Sequence, residues 1–141
     1  MKLSAKTEYA CLAMLHLAEC YADGEPVQLR RVAGEHGIPS RFLVQILLQL
    51  KGVGLVSSIR GAGGGYRLAK PPQEITLLDV IEIMDGDDWP HTSCTKSSPQ
   101  GELLLGLRRE LCAAQRERLE GITLADMVEQ AAPTGEPMWY I

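Results

Sequence analysis

The sequence predicts a mainly α fold with a small β-hairpin wing: a winged helix-turn-helix unit followed by a long C-terminal helix. Three observations carry this expectation. Leu29, Val32, Ala33 and His36 follow helical spacing and stop at Gly37, and a second helical set, Phe42, Leu43, Ile46, Leu47 and Leu50, begins just beyond. Two helices joined by a short glycine-containing turn form the helix-turn-helix pattern. The period then changes: Leu55-Val56-Ser57-Ser58-Ile59 and Tyr66-Arg67-Leu68 read as short strands around Arg60-Gly61-Ala62-Gly63-Gly64-Gly65. Finally, Glu102 to Glu120 reads as a long helix with an apolar stripe of Leu103 or Leu104, Leu107, Leu111 and Ala114.

Each element has a local cause. Ser4 or Thr7 can start a first helix, and Tyr9 to Cys20 is apolar nearly all round, as a buried helix is. Ala22-Asp23-Gly24-Glu25-Pro26 is a loop. Gly37-Ile38-Pro39-Ser40 is a tight connection, with Ser40 as the expected cap of the third helix, which runs to about Lys51. Pro71-Pro72 closes the wing unit, and Thr76 can cap a helix through Leu77, Val80, Ile81 and Met84. Asp85 to Gly101 has no period and reads as a long loop. Thr123 caps a short closing helix through Val128, and a turn-rich tail ends in Met138-Trp139-Tyr140-Ile141. The expected organisation is 1–72 for DNA binding, 73–101 for a connecting helix and sensor-type loop, 102–131 for the dimerisation and closing helices, and 132–141 for the tail.

The chain is 45% hydrophobic but only 5% aromatic, so its core must be aliphatic. No apolar run reaches about 18 residues and no signal-peptide pattern opens the chain, so a cytoplasmic protein without a membrane partner is expected. The net charge of −4 hides a division. Residues 1–70 hold nine Lys/Arg against five Asp/Glu, or +4, and residues 71–141 hold five against thirteen, or −8. A basic N-terminal half can meet phosphates while the acidic half faces away.

This points to double-stranded DNA as partner. Arg41, Gln45 and Gln49 are four apart and share one face of the third helix, where Arg suits guanine edges and Gln adenine edges. Ser40, Lys51, Ser57 and Ser58 are candidate phosphate contacts, with Arg30 and Arg31 as secondary ones. Arg60 beside the glycine turn can enter a minor groove, and Gly63, Gly64 and Tyr66 complete the wing surface, since glycine lets backbone approach a ligand closely. A dinucleotide site would need a helix after its glycines, whereas here a strand follows. Leu104, Leu107, Leu111 and Ala114 form the expected dimer seam, because a small domain cannot bury so long a helix alone, and two-fold symmetry matches a palindromic operator.

Of the four cysteines, Cys11 and Cys20 read as small buried helix residues; a reducing compartment and the absence of any CxxC pair exclude a disulfide framework and zinc-knuckle spacing. Cys94 stands in the loop with His91 and Lys96, which can activate a thiol for redox sensing; a spectator cysteine is the other reading of it. No oxyanion donor or orienting carboxylate accompanies His91 and Cys94, so no catalytic site is expected.

The run Gly54 to Leu68, the opening Met1-Lys2-Leu3-Ser4 through Tyr9-Ala10, Ile75-Thr76-Leu77-Leu78-Asp79-Val80-Ile81 and Ile122-Thr123-Leu124-Ala125-Asp126-Met127 together resemble the Rrf-two family of bacterial regulators over about residues 1–130. That family includes an iron–sulfur cluster regulator, a nitric-oxide-sensing repressor and a cysteine-metabolism repressor. The resemblance implies a dimer with a long crossed helix and DNA read by the third helix and wing. Cluster-holding members carry three cysteines in the loop before the long helix. This chain has only Cys94 there, with Lys96, Ser97, Ser98 and Glu102 where others would fall. The ordinary cluster site is absent. A non-standard iron–sulfur cluster on Cys94, Cys112, His91 and Glu8, the last at a position where some members borrow a carboxylate from the partner subunit, is the remaining cofactor alternative. The function expected is sequence-specific transcriptional regulation by a homodimer on a palindromic operator, responsive to redox state or a metabolite. The alternative from another class is a protein-interaction module on the same fold, for which the apolar Val44 and Leu48 of the third helix leave room.

Overall fold

The computed structural model describes residues 3–86 and 89–132. The tail from Pro133, including Met138-Trp139-Tyr140-Ile141, lies outside the described residues. Helix α1 (Ala5–Glu19) runs through the middle of the fold and packs against every other helix described below except the long one. Ser4 caps it, its Oγ accepting the Thr7 amide at 3.2 Å, and lies 3.0 Å from Asp85 Oδ1 near the far end of the chain's midsection. Ala10, Ala13, Met14, Leu17 and Ala18 are all buried, so α1 has apolar neighbours on most of its circumference.

The helix-turn-helix comprises α2 (Leu29–His36) and α3 (Ser40–Gly52). Gly37 closes α2 in the left-handed conformation at φ 66, and the Ile38 amide donates back to Ala33 O at 3.0 Å. Ile38 is thereby driven into the core. The expected cap at Ser40 is displaced by one residue. Pro39 holds the cap position, its carbonyl accepting the amides of Phe42 and Leu43 at 3.0 and 3.1 Å, and Ser40 is already helical. The ring presets φ at −59, and proline has no amide to leave unpaired at the helix start.

The wing pairs β1 (Val56–Ile59) with β2 (Gly65–Leu68) antiparallel, from Val56 opposite Leu68 to Ile59 opposite Gly65. Val27 adds a bridge to the free edge of β2: it exchanges two 2.8 Å hydrogen bonds with Tyr66. The glycines are consumed by this closure. A Cβ on Gly64 would lie 2.1 Å from Ile59 O, and one on Gly65, at φ +151, would lie 2.4 Å from Val27 O.

Helix α4 (Leu77–Asp85) and the closing helix α6 (Leu124–Gln130) begin side by side. Each has a capping box, Thr76 with Asp79 and Thr123 with Asp126. Their starts are stitched by the Leu77 amide to Ile122 O at 3.0 Å and the Leu124 amide to Ile75 O at 2.9 Å. Ile75 and Leu124 have no exposed surface and belong to the same core as α1, so the starts of α4 and α6 are built into the helix-turn-helix unit. Between them, α5 (Pro99–Glu120) starts three residues before the expected Glu102, because Ser98 caps it through the Gly101 amide and Pro99 occupies its first position. It packs chiefly on α4, where Arg116 pairs with Glu82, and Leu105 is its one buried residue.

All four cysteines are free. Cys11 and Cys20 are half-buried against the core. Burial, with the neighbouring carboxylates of Asp85 and Glu8, pushes the Cys11 thiol up to about 11. Burial also raises Cys20, at the C-terminal cap of α1. Cys112 is half-buried on α5, and Cys94 is exposed.

Two outcomes follow. Gly64→Ala is expected to lower stability in urea unfolding by about 1–3 kcal/mol and to deprotect the Val27 and Tyr66 amides in hydrogen exchange, because the turn must distort. Gly63→Ala, with open space at its Cβ, is expected to stay within about 0.5 kcal/mol of the parent. In alkylation mapped by mass spectrometry near pH 8, Cys94 should label first and Cys11 last. Cys11 labelling should accelerate only as pH approaches its raised value, since the thiolate is the nucleophile.

Candidate nucleic-acid interface

The inner face of α3 is Leu43, Ile46, Leu47 and Leu50, all buried. Arg41, Gln45 and Leu48 therefore occupy the opposite, outward face, with exposed Val44 beside them. Neither Arg41 nor Gln45 is held by a hydrogen bond among the described residues. Phe42, expected on the inner face, is 44% exposed at its edge. It stacks on Tyr9 of α1 with ring centroids 6.4 Å apart, and the Arg41 guanidinium lies 4.8 Å from its centroid. This contact props Arg41 against an aromatic face.

The third polar residue of the expected stripe is placed differently. Gln49 Nε2 donates to Ile83 O at 2.8 Å, tying α3 to the last turn of α4. Lys51 Nζ donates to Ser58 Oγ at 2.7 Å, tying the end of α3 to strand β1. Both residues hold the outward face of α3 in position, and each amide or ammonium group has a protein partner of its own.

Ser40 is exposed in the first turn of α3, where backbone amides point outward and favour anions. On the wing, Arg60 and Gly63 are exposed, and Ser57, Ser58 and Tyr66 are half-buried. Gly64 is buried in the turn, so the close approach that its lack of a side chain permits is to its own hairpin. Arg30 and Arg31 are exposed on α2, with Arg30 Nε donating to Gln28 Oε1 at 3.0 Å. Val44 and Leu48, the apolar residues that the sequence offered to a protein-interaction role, are both exposed on this face beside Arg41 and Gln45.

On α5, Leu104, Leu107 and Leu111 are 59%, 51% and 57% exposed, Leu103 is 77% exposed, and Ala114 is exposed. The loop before α5 is fastened to it. Arg108 Nη1 donates to His91 O at 3.3 Å and Arg109 Nε to Pro90 O at 3.2 Å. His91 Nδ1 faces Trp89 O at 3.5 Å, and the Cys94 amide donates to Thr92 Oγ1 at 3.1 Å. Cys94 borders a cavity of about 30 Å³ with Glu102 and Leu105, roughly the space of one water. Among the described residues, the three-ligand group close enough for a metal ion is His16, Glu35 and His36, away from this loop. Cys94, Cys112, His91 and Glu8 are not gathered within one chain. One exposed thiol and so small a cavity do not fit an iron–sulfur cluster. His16, Glu35 and His36 were invisible as a group in the sequence, because twenty residues separate the two imidazoles.

Among the described residues, no helix is long and apolar enough to cross a membrane. The family model described as Rrf2, iron-dependent transcriptional regulator, matches residues 3–130. The chain is 34% identical to the HTH-type transcriptional regulator CymR of Bacillus subtilis over 143 aligned positions, covering all of both chains. The solved structure of CymR (YrzC), the global cysteine regulator of B. subtilis, is similar with a TM-score of 0.79 and 32% identity over 94% of this chain and 99% of that one. T. potens IscR gives a TM-score of 0.80 and 30% identity over 100% and 97%. The hairpin after the helix-turn-helix and the long helix before a closing helix are thus shared features, and the chain belongs to the Rrf2 (Rrf-two) family as a winged helix-turn-helix transcriptional regulator.

Proposed function

We propose that this regulator binds a palindromic operator in double-stranded DNA as a homodimer in the cytoplasm, as a binding protein without catalytic activity. The observation that supports it best is the outward face of α3, where Arg41, Gln45 and Leu48 project from a helix anchored at Gln49 and Lys51. With that face in the major groove, Arg41 and Gln45 offer hydrogen bonds to base edges, and Leu48 and Val44 offer apolar contact to thymine methyls. Ser40 and the first turn of α3 meet phosphate, and Arg60 reaches the adjacent minor groove.

The dimer reading rests on α5. Four leucines more than half exposed along one helix leave a contiguous apolar surface, and burying each contributes about 1.5–3 kcal/mol. A second copy of α5 covers it symmetrically, as a two-fold operator requires. The response to a signal is assigned to the loop, where Cys94 is the exposed thiol and Arg108 and Arg109 connect the loop backbone to the dimer helix.

The second reading, a protein-docking role for α3, draws on its exposed Phe42, Val44 and Leu48. Substitution separates the two. Arg41→Ala and Arg60→Ala are each expected to weaken binding to a promoter fragment selected from genomic DNA by about 1–3 kcal/mol in fluorescence titrations. Each phosphate contact removed should flatten the salt dependence by about one unit. Unchanged duplex affinity in both variants, or no duplex preferred from the pool, would refute DNA reading. Leu107→Glu with Leu111→Glu is expected to give a folded monomer by sedimentation and circular dichroism, with operator affinity lost. A dimer surviving that double substitution would place the interface elsewhere.

A further inference from the structure

We propose that His16, Glu35 and His36 form a binding site for one divalent first-row transition-metal ion, clamping α1 to α2 beside the turn of the helix-turn-helix. His16 lies near the end of α1, and Glu35 and His36 are the last two residues of α2, directly before Gly37. His16 Nδ1 is 2.9 Å from His36 Nε2 and 3.6 Å from Glu35 Oε2, and the three donor atoms all lie within 4.8 Å of one another. Tetrahedral metal–ligand bonds of about 2.0–2.1 Å separate donor atoms by about 3.3 Å, between the two measured distances. The imidazole planes stand nearly perpendicular, at 83°. A metal can enter between the His16 donor and its two partners once the Glu35 and His36 donor atoms, which lie within 4.8 Å, close toward that spacing, and the exposed Glu35 side chain is free to rotate.

The donor set selects the ion. Two imidazoles and one carboxylate suit zinc, iron(II), cobalt or nickel and disfavour magnesium and calcium, which take oxygen ligands. His16 is 4% exposed, His36 half-buried and Glu35 exposed, so the site is walled on the α1 side and open to water on the other. Three protein ligands with an open fourth position are the arrangement of an exchangeable metal rather than a closed structural one. Burial lowers the His16 pKa; Glu35 and Glu19 oppose that shift, and His36 and Arg31 add to it.

His16 Nε2 supplies a second observation. It is buried without a hydrogen-bond partner among the described residues. Nδ1 is the ring nitrogen that faces Glu35 and His36, and ligation there leaves the proton on Nε2, which lacks a partner with or without the ion, so the metal adds no further cost at that atom. The consequence for DNA rests on the operator-binding reading: an occupied site fixes α2, and through Gly37 the angle of α3.

The test uses the full-length protein after chelator treatment. Titration with Co²⁺, without DNA, is expected to give visible d–d absorption saturating at one ion per chain and abolished by Zn²⁺. Glu35→Gln and His36→Ala, both at positions outside the core, should weaken Co²⁺ binding more than about 100-fold, since even outer-shell partners are worth about 10–100-fold. A variant combining Cys94→Ser, Cys112→Ser and His91→Ala should bind as the parent does. Wild-type Co²⁺ affinity in the first two variants, loss of the signal in the triple variant, or no binding at all would overturn the site. Operator titrations with and without Zn²⁺ then test regulation. Equal DNA affinity in both states would overturn the coupling alone, and absence of DNA binding in both would instead count against the operator reading while the Co²⁺ result stands.

Discussion

The burial of α1 is the constraint on which the other elements depend. Its apolar circumference requires cover on several sides at once, and α2, α3, α4, α6 and β2 each supply part of it. An amphipathic helix would have needed one neighbour. Because this one needs five, α3, the wing and the closing helix α6 are all referred to one axis. Leu124 of α6 and Leu43 of α3 belong to the same core although some eighty positions separate them in the sequence. A residue such as Ala13, which has no exposed surface and little volume, is what allows that many elements to approach.

Within this frame, polar side chains fix orientation. Gln49 and Lys51 lie at the edges of α3 and reach neighbouring elements, so the helix is held against α4 and β1 by hydrogen bonds of 2.8 and 2.7 Å. Exposed hydrogen bonds contribute modestly to stability, about 0.5–1.5 kcal/mol each. Their importance is geometric: a recognition helix that rocks by a few degrees moves its outermost side chains relative to base edges. The stripe of Arg41, Gln45 and Gln49 is thus divided into two outward-facing residues and one that steadies them, with Leu48 exposed beside the first two.

What the chain discloses on reading depends on range. The helix-turn-helix, the hairpin and the long helix are encoded by spacing within about twenty residues, and all three are present. Local capping signals moved two helix starts, by one residue at α3 and by three at α5. Pro39 displaced Ser40 as cap of α3, and Ser98 with Pro99 began α5 inside a stretch that otherwise resembles loop. Partners distant in sequence left no trace. Val27 is a single residue of strand pairing, too short to alternate, and the imidazoles of His16 and His36 meet only because α1 and α2 cross. The wing glycines were legible as a feature, but not their division of labour: Gly64 and Gly65 close the hairpin, and Arg60 and Gly63 form its exposed edge.

The C-terminal half links two surfaces that have to act together in a regulator. Paired capping boxes join the starts of α4 and α6, with backbone hydrogen bonds from Leu77 to Ile122 and from Leu124 to Ile75. Helix α5 packs on α4, where Arg116 pairs with Glu82, and the last turn of α4 receives Gln49 from α3, so one helix contacts both α5 and α3. The loop carrying Cys94 is tied to α5 by Arg108 and Arg109 through backbone carbonyls, so it is joined to the same path whatever its side chains bind. Coupling of this kind needs two alternative packings rather than a flexible linker. Helix α5 stands apart from the shared core: Leu105 is its buried residue and lies outside the cluster around α1, so most of its surface is left for contacts beyond the chain's own core.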